Sequence, residues 1–243
     1  MQPSQKRLSI QAGLYGLSYF LENGPVHAYD RRNFRVSGPA GIEPHLRSVL
    51  DELMVDNNIE QVRIFHHNPW NVWVPLALFD ERQADKYLQT HIRLFRSDAP
   101  AWDVFEDAGV VNVYLPMVNL NNILLDYVKE IDFYHSAGML QQYAWKHFPE
   151  DLQWRVLVRT SGGDFQIGSW QGRRLKFFNT FRMENTDDFL YYFFFVWEKN
   201  QWDRHRPEII LTGPGAHRLY DELESFTERV QTLDLEQSLL KQT

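Results

Sequence analysis

Apolar residues recur along this chain with two periods, alternation for strands and a helical spacing elsewhere. Lys6 to Ala12 reads as a strand. Gly13 and Gly16 bracket a turn, and Leu17, Tyr19 and Leu21 alternate inward along a second strand. Asn23-Gly24-Pro25 has hairpin-turn chemistry and leads into a third strand, Val26 to Val36. Glycines and a proline between Ser37 and Gly41 break the chain. Ile42, Leu46, Val49, Leu50 and Leu53 then fall at helical spacing. Gln61–His66 reads as a buried strand ended by Asn68-Pro69. Ala84, Tyr87, Leu88, Ile92 and Phe95 mark a second amphipathic helix. Val110–Leu115 is another strand. Leu120, Ile123, Leu124, Tyr127, Val128 and Ile131 form a third helical stripe. Ser136 to Phe148 reads as one more helix, closed by Pro149-Glu150-Asp151.

The second half opens with three strands, Trp154–Thr160, Asp164–Trp170 and Arg174–Arg182. Thr186 suits an N-cap, and Asp187 and Asp188 complement the positive end of the helix that follows. Phe189, Tyr192, Phe193, Val196 and Trp197 make one face of that helix. Tyr191, Phe194 and Phe195 make its other sides apolar, so it should be covered on more than the sheet side. Glu208–Thr212 is a buried strand ending in Gly213-Pro214-Gly215, and Leu219, Leu223 and Phe226 mark the next helix. The tail from Glu236 is polar and reads as fraying or as one last helix.

The two halves share a layout of three strands, a helix, a buried strand, a turn and a helix. Superposing Gly24 on Gly172 gives an offset of 172 − 24 = 148, and superposing Ile64 on Leu211 gives 211 − 64 = 147. Two independent anchors agree within one residue. The pattern predicts a duplicated βββαβα unit, with subdomains at 1–135 and 136–243.

Composition narrows the function. Of 243 residues, 44% are apolar, enough for a full core in each half. The net charge of −7 repels phosphate backbones, so nucleic-acid binding would need a local basic patch. Arg173, Arg174, Arg182, Arg204, His205 and Arg206 supply some positive charge. Phe177 and Phe181, which alternate with the charged positions, read as core rather than as stacking platforms, and nucleic acid is disfavoured. The absence of cysteine excludes disulfides and thiol catalysis and fits a reducing cytoplasm. The N-terminal MQPSQKRLSIQAG has no apolar leader, and the longest apolar run, Phe189–Trp197, is far short of the ~20 residues of a membrane helix. A soluble cytoplasmic protein without a membrane partner is expected.

Two tandem βββαβα halves resemble the actin-like ATPase fold, in which each half is a ribonuclease-H-like subdomain. The wording at Leu175–Phe181 (LKFFNTF) and Asp187–Trp197 (DDFLYYFFFVW) also resembles an uncharacterised Bacteroidota family of this fold, domain of unknown function 3822. That resemblance implies an α/β fold but no established activity. It also implies where chemistry would sit. In active members of the superfold, the first hairpin of each half carries an aspartate followed by a glycine turn; the acid holds a metal and the turn amides face phosphates. Here Gln11 stands at the first expected acid, and Arg159 or Thr160 at the second. An amide is no general base and brings no charge to a hard cation.

What remains of a nucleotide site is glycine. Gly162 and Gly163 in Ser161-Gly162-Gly163-Asp164 have the shape of a phosphate loop, and Gly213 and Gly215 that of a turn beside a nucleotide base. Both are equally good turn chemistry. His66-His67 is not a metal pair, because neighbours in a strand face opposite ways and no HxH or HExxH spacing accompanies them. Asp187-Asp188 fits a helix start better than a nuclease site, which would need acids on the first strands as well. GxSxG, GxxxxGK[ST] and GxGxxG are absent. The expectation is an actin-like ATPase fold without catalytic residues, cofactor or metal, acting through an unidentified protein partner or a second copy of itself. The alternative is a divergent nucleotide-binding or ATP-dependent phosphotransfer protein that takes ATP with Mg in the interdomain cleft.

Overall fold

Two five-stranded sheets with one strand order organise the structure, a computed structural model that describes residues 6–22, 29–56 and 59–241. The chain divides into two compact units, residues 1–139 with 240–243, and residues 140–239.

In the first unit, β1 (Lys6–Gly13), β2 (Gly16–Glu22) and β3 (Tyr29–Asn33) form an antiparallel meander. Helix α1 (Glu43–Asp56) crosses over to β4 (Ile59–His67), which pairs parallel to β1. An insertion follows: β5 (Asn71–Pro75), the short α2 (Ala84–Gln89), β6 (Ala101–Phe105) and β7 (Val110–Tyr114) make a separate three-stranded sheet in the order β5-β7-β6. Then α3 (Val118–Leu125) leads to β8 (Ile131–His135), parallel to β4, and α4 (Ser136–His147) follows. The sheet order is β3-β2-β1-β4-β8.

The second unit repeats this plan. The strands β9 (Trp154–Thr160), β10 (Asp164–Gln171) and β11 (Arg174–Arg182) are antiparallel. After α5 (Thr186–Lys199) and α6 (Trp202–His205), β12 (Glu208–Thr212) pairs parallel to β9. Then α7 (Ala216–Leu223) leads to β13 (Val230–Thr232), parallel to β12, and α8 (Glu236–Lys241) follows. The order is β11-β10-β9-β12-β13.

The registers coincide. Gln11 faces Ser18 across the first hairpin and Gly13 faces Gly16; Arg159 faces Gln166 across the second, at a constant offset of 159 − 11 = 148 and 166 − 18 = 148. Ile10 pairs with Ile64, and Val158 with Leu211. Both halves contain the βββαβα unit that the spacing predicts, arranged as the ribonuclease-H-like subdomains that the resemblance implies.

Each core lies where strand alternation meets a helical stripe. Leu8, Ile10, Val62 and Ile64 pack with Leu46, Val49, Leu50, Leu120 and Leu124 in the first unit. Val156, Val158, Ile209 and Leu211 pack with Phe189, Phe193, Val196, Leu219 and Leu223 in the second. Burying side chains of this size stabilises by roughly 1.5–3 kcal/mol each before chain entropy is subtracted.

Several expectations are corrected. The helix expected from Ala84 to Phe95 ends at Gln89, and Phe95 is 72% exposed. The stripe from Leu120 to Ile131 splits: α3 stops at Leu125, and Ile131 opens β8. Strands β5, β6, β8 and β13 carry too few alternating positions to stand out. Asn185, not Thr186, caps α5: its side chain accepts the Asp188 N–H, while the Asp188 carboxylate accepts the Glu184 N–H at 2.8 Å. The covering expected over the outer face of α5 is partial: Phe194 meets Phe226, while Tyr191, 68% exposed, touches the edge of Tyr192 and Phe195, 47% exposed, lies under Lys199. Asn23-Gly24-Pro25, the start of the third strand, and the side chains of Arg204 and His205 lie outside the described residues.

Candidate functional site

Strand β9 is the middle strand of its sheet, and its C-terminal end is where an open α/β sheet presents a ligand. Two turns meet there. Gly162 and Gly163 form the two-residue turn of the β9–β10 hairpin, closed by the Ser161 N–H donating to Asp164 O at 3.0 Å. Gly162 has φ 95°, and Gly163 O accepts the Met183 N–H at 2.9 Å. The Ser161 hydroxyl donates to the Asp164 carboxylate.

The second turn leaves β12. Thr160 joins the two: its hydroxyl donates toward Pro214 O at 2.7 Å and lies 3.2 Å from Thr212 O. Gly213, at φ 91°, brings its backbone so close that a Cβ would run into the Thr160 carbonyl oxygen and sit 2.9 Å from its hydroxyl oxygen. A close approach of two backbones is thus the observed role of Gly213. Gly215 has φ 80°, and a Cβ there would meet open space. Of the four glycines, Gly213 is brought against Thr160, Gly162 and Gly163 form the hairpin turn that follows it in sequence, and Gly215 precedes α7, its carbonyl accepting the Arg218 N–H at 3.0 Å.

Arg159 precedes this junction. It is 1% exposed and makes a two-pronged pair with Glu236 of α8, Nε to Oε1 and Nη2 to Oε2 at 2.7 Å each. The segment before α8 is held to the same strand end. Leu233 N–H donates to Leu211 O at 2.9 Å, and Leu235 N–H to the Thr212 hydroxyl at 3.2 Å. At the matching place in the first unit Gln11 is 5% exposed, and its Oε1 has no hydrogen-bond partner among the described residues.

In each unit the register-equivalent strand position lacks a carboxylate: Gln11 brings an amide and Arg159 a guanidinium, and Asp164 is engaged by Ser161. Among the described residues no group of three His, Asp or Glu side chains could hold a metal. Asp188 is spent on its helix start, as expected from sequence. Two of the basic residues are paired: Arg173 with Glu150 and the Phe148 carbonyl, Arg182 with Glu184.

A buried polar cluster in the first unit was not foreseen. His135 Nε2 lies 3.0 Å from Asn68 O and its Nδ1 accepts the Ala137 N–H. Asp103 on β6 accepts the His135 N–H at 3.0 Å, and the Tyr114 hydroxyl lies 3.2 Å from both Asp103 Oδ1 and Phe133 O. His67 Nδ1 is 2.9 Å from the Ser136 hydroxyl. Burial pushes His66 down to about 4 and His135 to about 3, and pushes Asp103 up to about 7. Burial also raises Tyr114. Asp103 and Tyr114 tie the inserted sheet to β8, and His66 and His135 are fully buried. The only sequence signal for them is the His66-His67 pair. Glu236, 77 residues from Arg159, leaves none. A cavity of about 560 Å³ in the second unit, lined by Asp151, Arg155, Glu208 and Arg229, opens at the other end of β9 and β12.

Known structures share this architecture. A protein of actin-like ATPase fold and unknown function from Bacteroides thetaiotaomicron VPI-5482 superposes with a TM-score of 0.81 at 21% identity, over 98% of this chain and 96% of that one. The PilM–PilN type IV pilus biogenesis complex gives 0.63 at 12% identity, over 95% and 89%. An inorganic polyphosphate/ATP-glucomannokinase from Arthrobacter sp. strain KM gives 0.53 at 10%, over 98% and 95%. At these identities the likeness shows the fold, which is that of the actin-like ATPases. No curated protein matches the chain. No helix among the described residues is long and apolar enough to cross a membrane. Residues 1–230 match the family described as protein of unknown function (DUF3822), and the chain belongs to that family.

Proposed function

We propose that this protein is a non-catalytic member of the actin-like ATPase fold that acts through contacts with another protein. One observation carries the reading. The register-equivalent positions of β1 and β9 hold Gln11 and Arg159, so neither strand offers a carboxylate to a metal or a water. The exposed rings of Tyr191 and Phe195 on α5, with Phe226, 63% exposed and packed on Phe194, offer apolar contact area on the second unit. The PilM–PilN complex is an instance of a similar fold within a protein complex. The proposed compartment is the cytoplasm, which the cysteine-free composition fits.

A photoreactive phenylalanine analogue at Tyr191 tests the contact in the source cell. One discrete protein adduct, absent when the probe stands at exposed Lys129, supports the reading. Identical labelling from both positions counts against it.

A second reading, a nucleotide-binding or phosphotransfer protein, is favoured by the junction of the Gly162-Gly163 and Gly213-Gly215 turns at Thr160. Calorimetry with Mg-ATP separates the two. Micromolar binding that is lost in Gly213→Val sustains the second reading and sinks the first.

A further inference from the structure

We propose that the aromatic face of the second unit takes a basic amphipathic helix of another protein. The proposal rests on the reading that this chain acts through protein contacts, and it names the chemistry of the partner.

Two elements build the face. Tyr191 and Phe195 stand one turn apart on α5 with their rings exposed. Phe226 follows α7 and packs on Phe194, ring centroids 4.7 Å apart, which joins the two elements into one apolar surface. These rings stand on a helix and a turn, not on a strand edge, so an extended peptide would find no backbone ladder to join. A helix needs only side-chain contact, and its apolar stripe matches such a surface.

Charge sets the sign of the partner. Asp187 lies one turn before Tyr191, Glu198 one turn after Phe194, and Glu222 in the last turn of α7 before Phe226; all three are exposed. None of the three makes an ion pair among the described residues. Over residues 186–199 and 216–226 six carboxylates stand against two cations, Lys199 and Arg218. An apolar centre with an acidic rim attracts lysines and arginines that flank an apolar stripe. The face already holds one cation, since the Lys199 ammonium lies 5.7 Å from the centre of the Phe195 ring. The exposed Tyr191 ring offers a partner cation the same contact.

The same charges disfavour a second copy of this chain. A two-fold contact through this face would bring its acidic rim against an identical one. An anionic lipid surface would be repelled in the same way.

The test is fluorescence anisotropy of the full chain with a labelled synthetic amphipathic helix of leucine and lysine, set against its leucine–glutamate counterpart. The lysine peptide should bind at least about tenfold more tightly, and its affinity should fall as sodium chloride is added. Tyr191→Ser/Phe195→Ser and, separately, Glu198→Gln/Glu222→Gln should each weaken it at least about threefold. Equal affinity for the two peptides, binding of neither, indifference to salt, or undiminished binding in either double variant overturns the proposal. The salt series needs only the wild type, so it decides even where a variant fails to fold. Sequencing the segment cross-linked from Tyr191 separates this proposal from the reading beneath it. A basic amphipathic segment of another protein supports both. A neutral or acidic segment, or one from a second copy of this chain, leaves protein contact standing and overturns the basic helix. Identical labelling from Tyr191 and Lys129 fails the contact, and the basic helix with it.

Discussion

Arg159 stands in the second sheet where Gln11 stands in the first, each one residue beyond the parallel pair that anchors its unit, Val158 with Leu211 and Ile10 with Ile64. The two positions correspond in strand register and carry different chemistry. Arg159 is bound to Glu236, while Gln11 is buried with its amide oxygen unpartnered among the described residues. Neither is a carboxylate, and the non-catalytic reading rests there.

The ion pair gives the first prediction. Removing one partner leaves a buried charge, so Glu236→Gln should lose about 3–5 kcal/mol in urea unfolding. Replacing both, as Arg159→Met/Glu236→Leu, should recover most of that loss. A double variant no more stable than the single one would mean that α8 is held by something other than this pair.

The glycine turns give a second. Gly213→Ala drives a Cβ into the Thr160 backbone at a left-handed φ, and should cost more than about 2 kcal/mol. Gly215→Ala meets no atom and pays for φ alone, about 1 kcal/mol. Equal losses in thermal unfolding would contradict the close approach at Gly213.

A third concerns pH and the cluster in the first unit. An unfolded histidine binds a proton below about pH 6.5, but buried His66 and His135 do not until about 4 and about 3. The unfolded chain then binds more protons, so stability falls as pH drops, by about 1.4 kcal/mol per pH unit for each histidine. Asp103 acts in the opposite sense. Folded, it takes its proton near 7 rather than at 3.8, so the folded state gains as pH drops between those values. Asp103→Asn removes that gain. Its amide can accept the His135 N–H and donate to the Tyr114 hydroxyl, which then donates to Phe133 O. The variant should be more stable than wild type above pH 7. Its stability should fall more steeply between pH 6 and 4, by about 1.4 kcal/mol per unit beyond the wild-type slope. Parallel pH profiles would show that Asp103 does not titrate in this range.

A fourth concerns the aromatic face. Tyr191→Ser and Phe195→Ser touch only exposed rings, so each should change stability by no more than about 0.5 kcal/mol. The photo-adduct from a neighbouring position should fall with either. A loss of several kcal/mol would show that these rings hold the fold.

Much of the architecture can be read from the chain, because its central strands combine two-residue periodicity with glycine turns. Leu8–Ala12 and Val156–Val158 alternate against helices whose stripes, Leu46–Leu50 and Phe189–Val196, run for several turns. The inserted sheet escapes, since β5 and β6 have five residues each and expose part of both faces. The stripe across Leu120–Ile131 misleads because the end of a helix and the start of a strand happen to keep helical spacing. At the site, the turn glycines and the missing acids are local and visible. Glu236 and the Asp103–His135 contact are not, because pairing across 77 and 32 residues leaves no mark on spacing.

The central claim is the absence of catalysis, and turnover measures it directly. Purified full-length protein with Mg-ATP should release phosphate no faster than buffer, and Gln11→Ala should change nothing. Magnesium-dependent release above background that falls with Gln11→Ala or Gly213→Val would contradict the account.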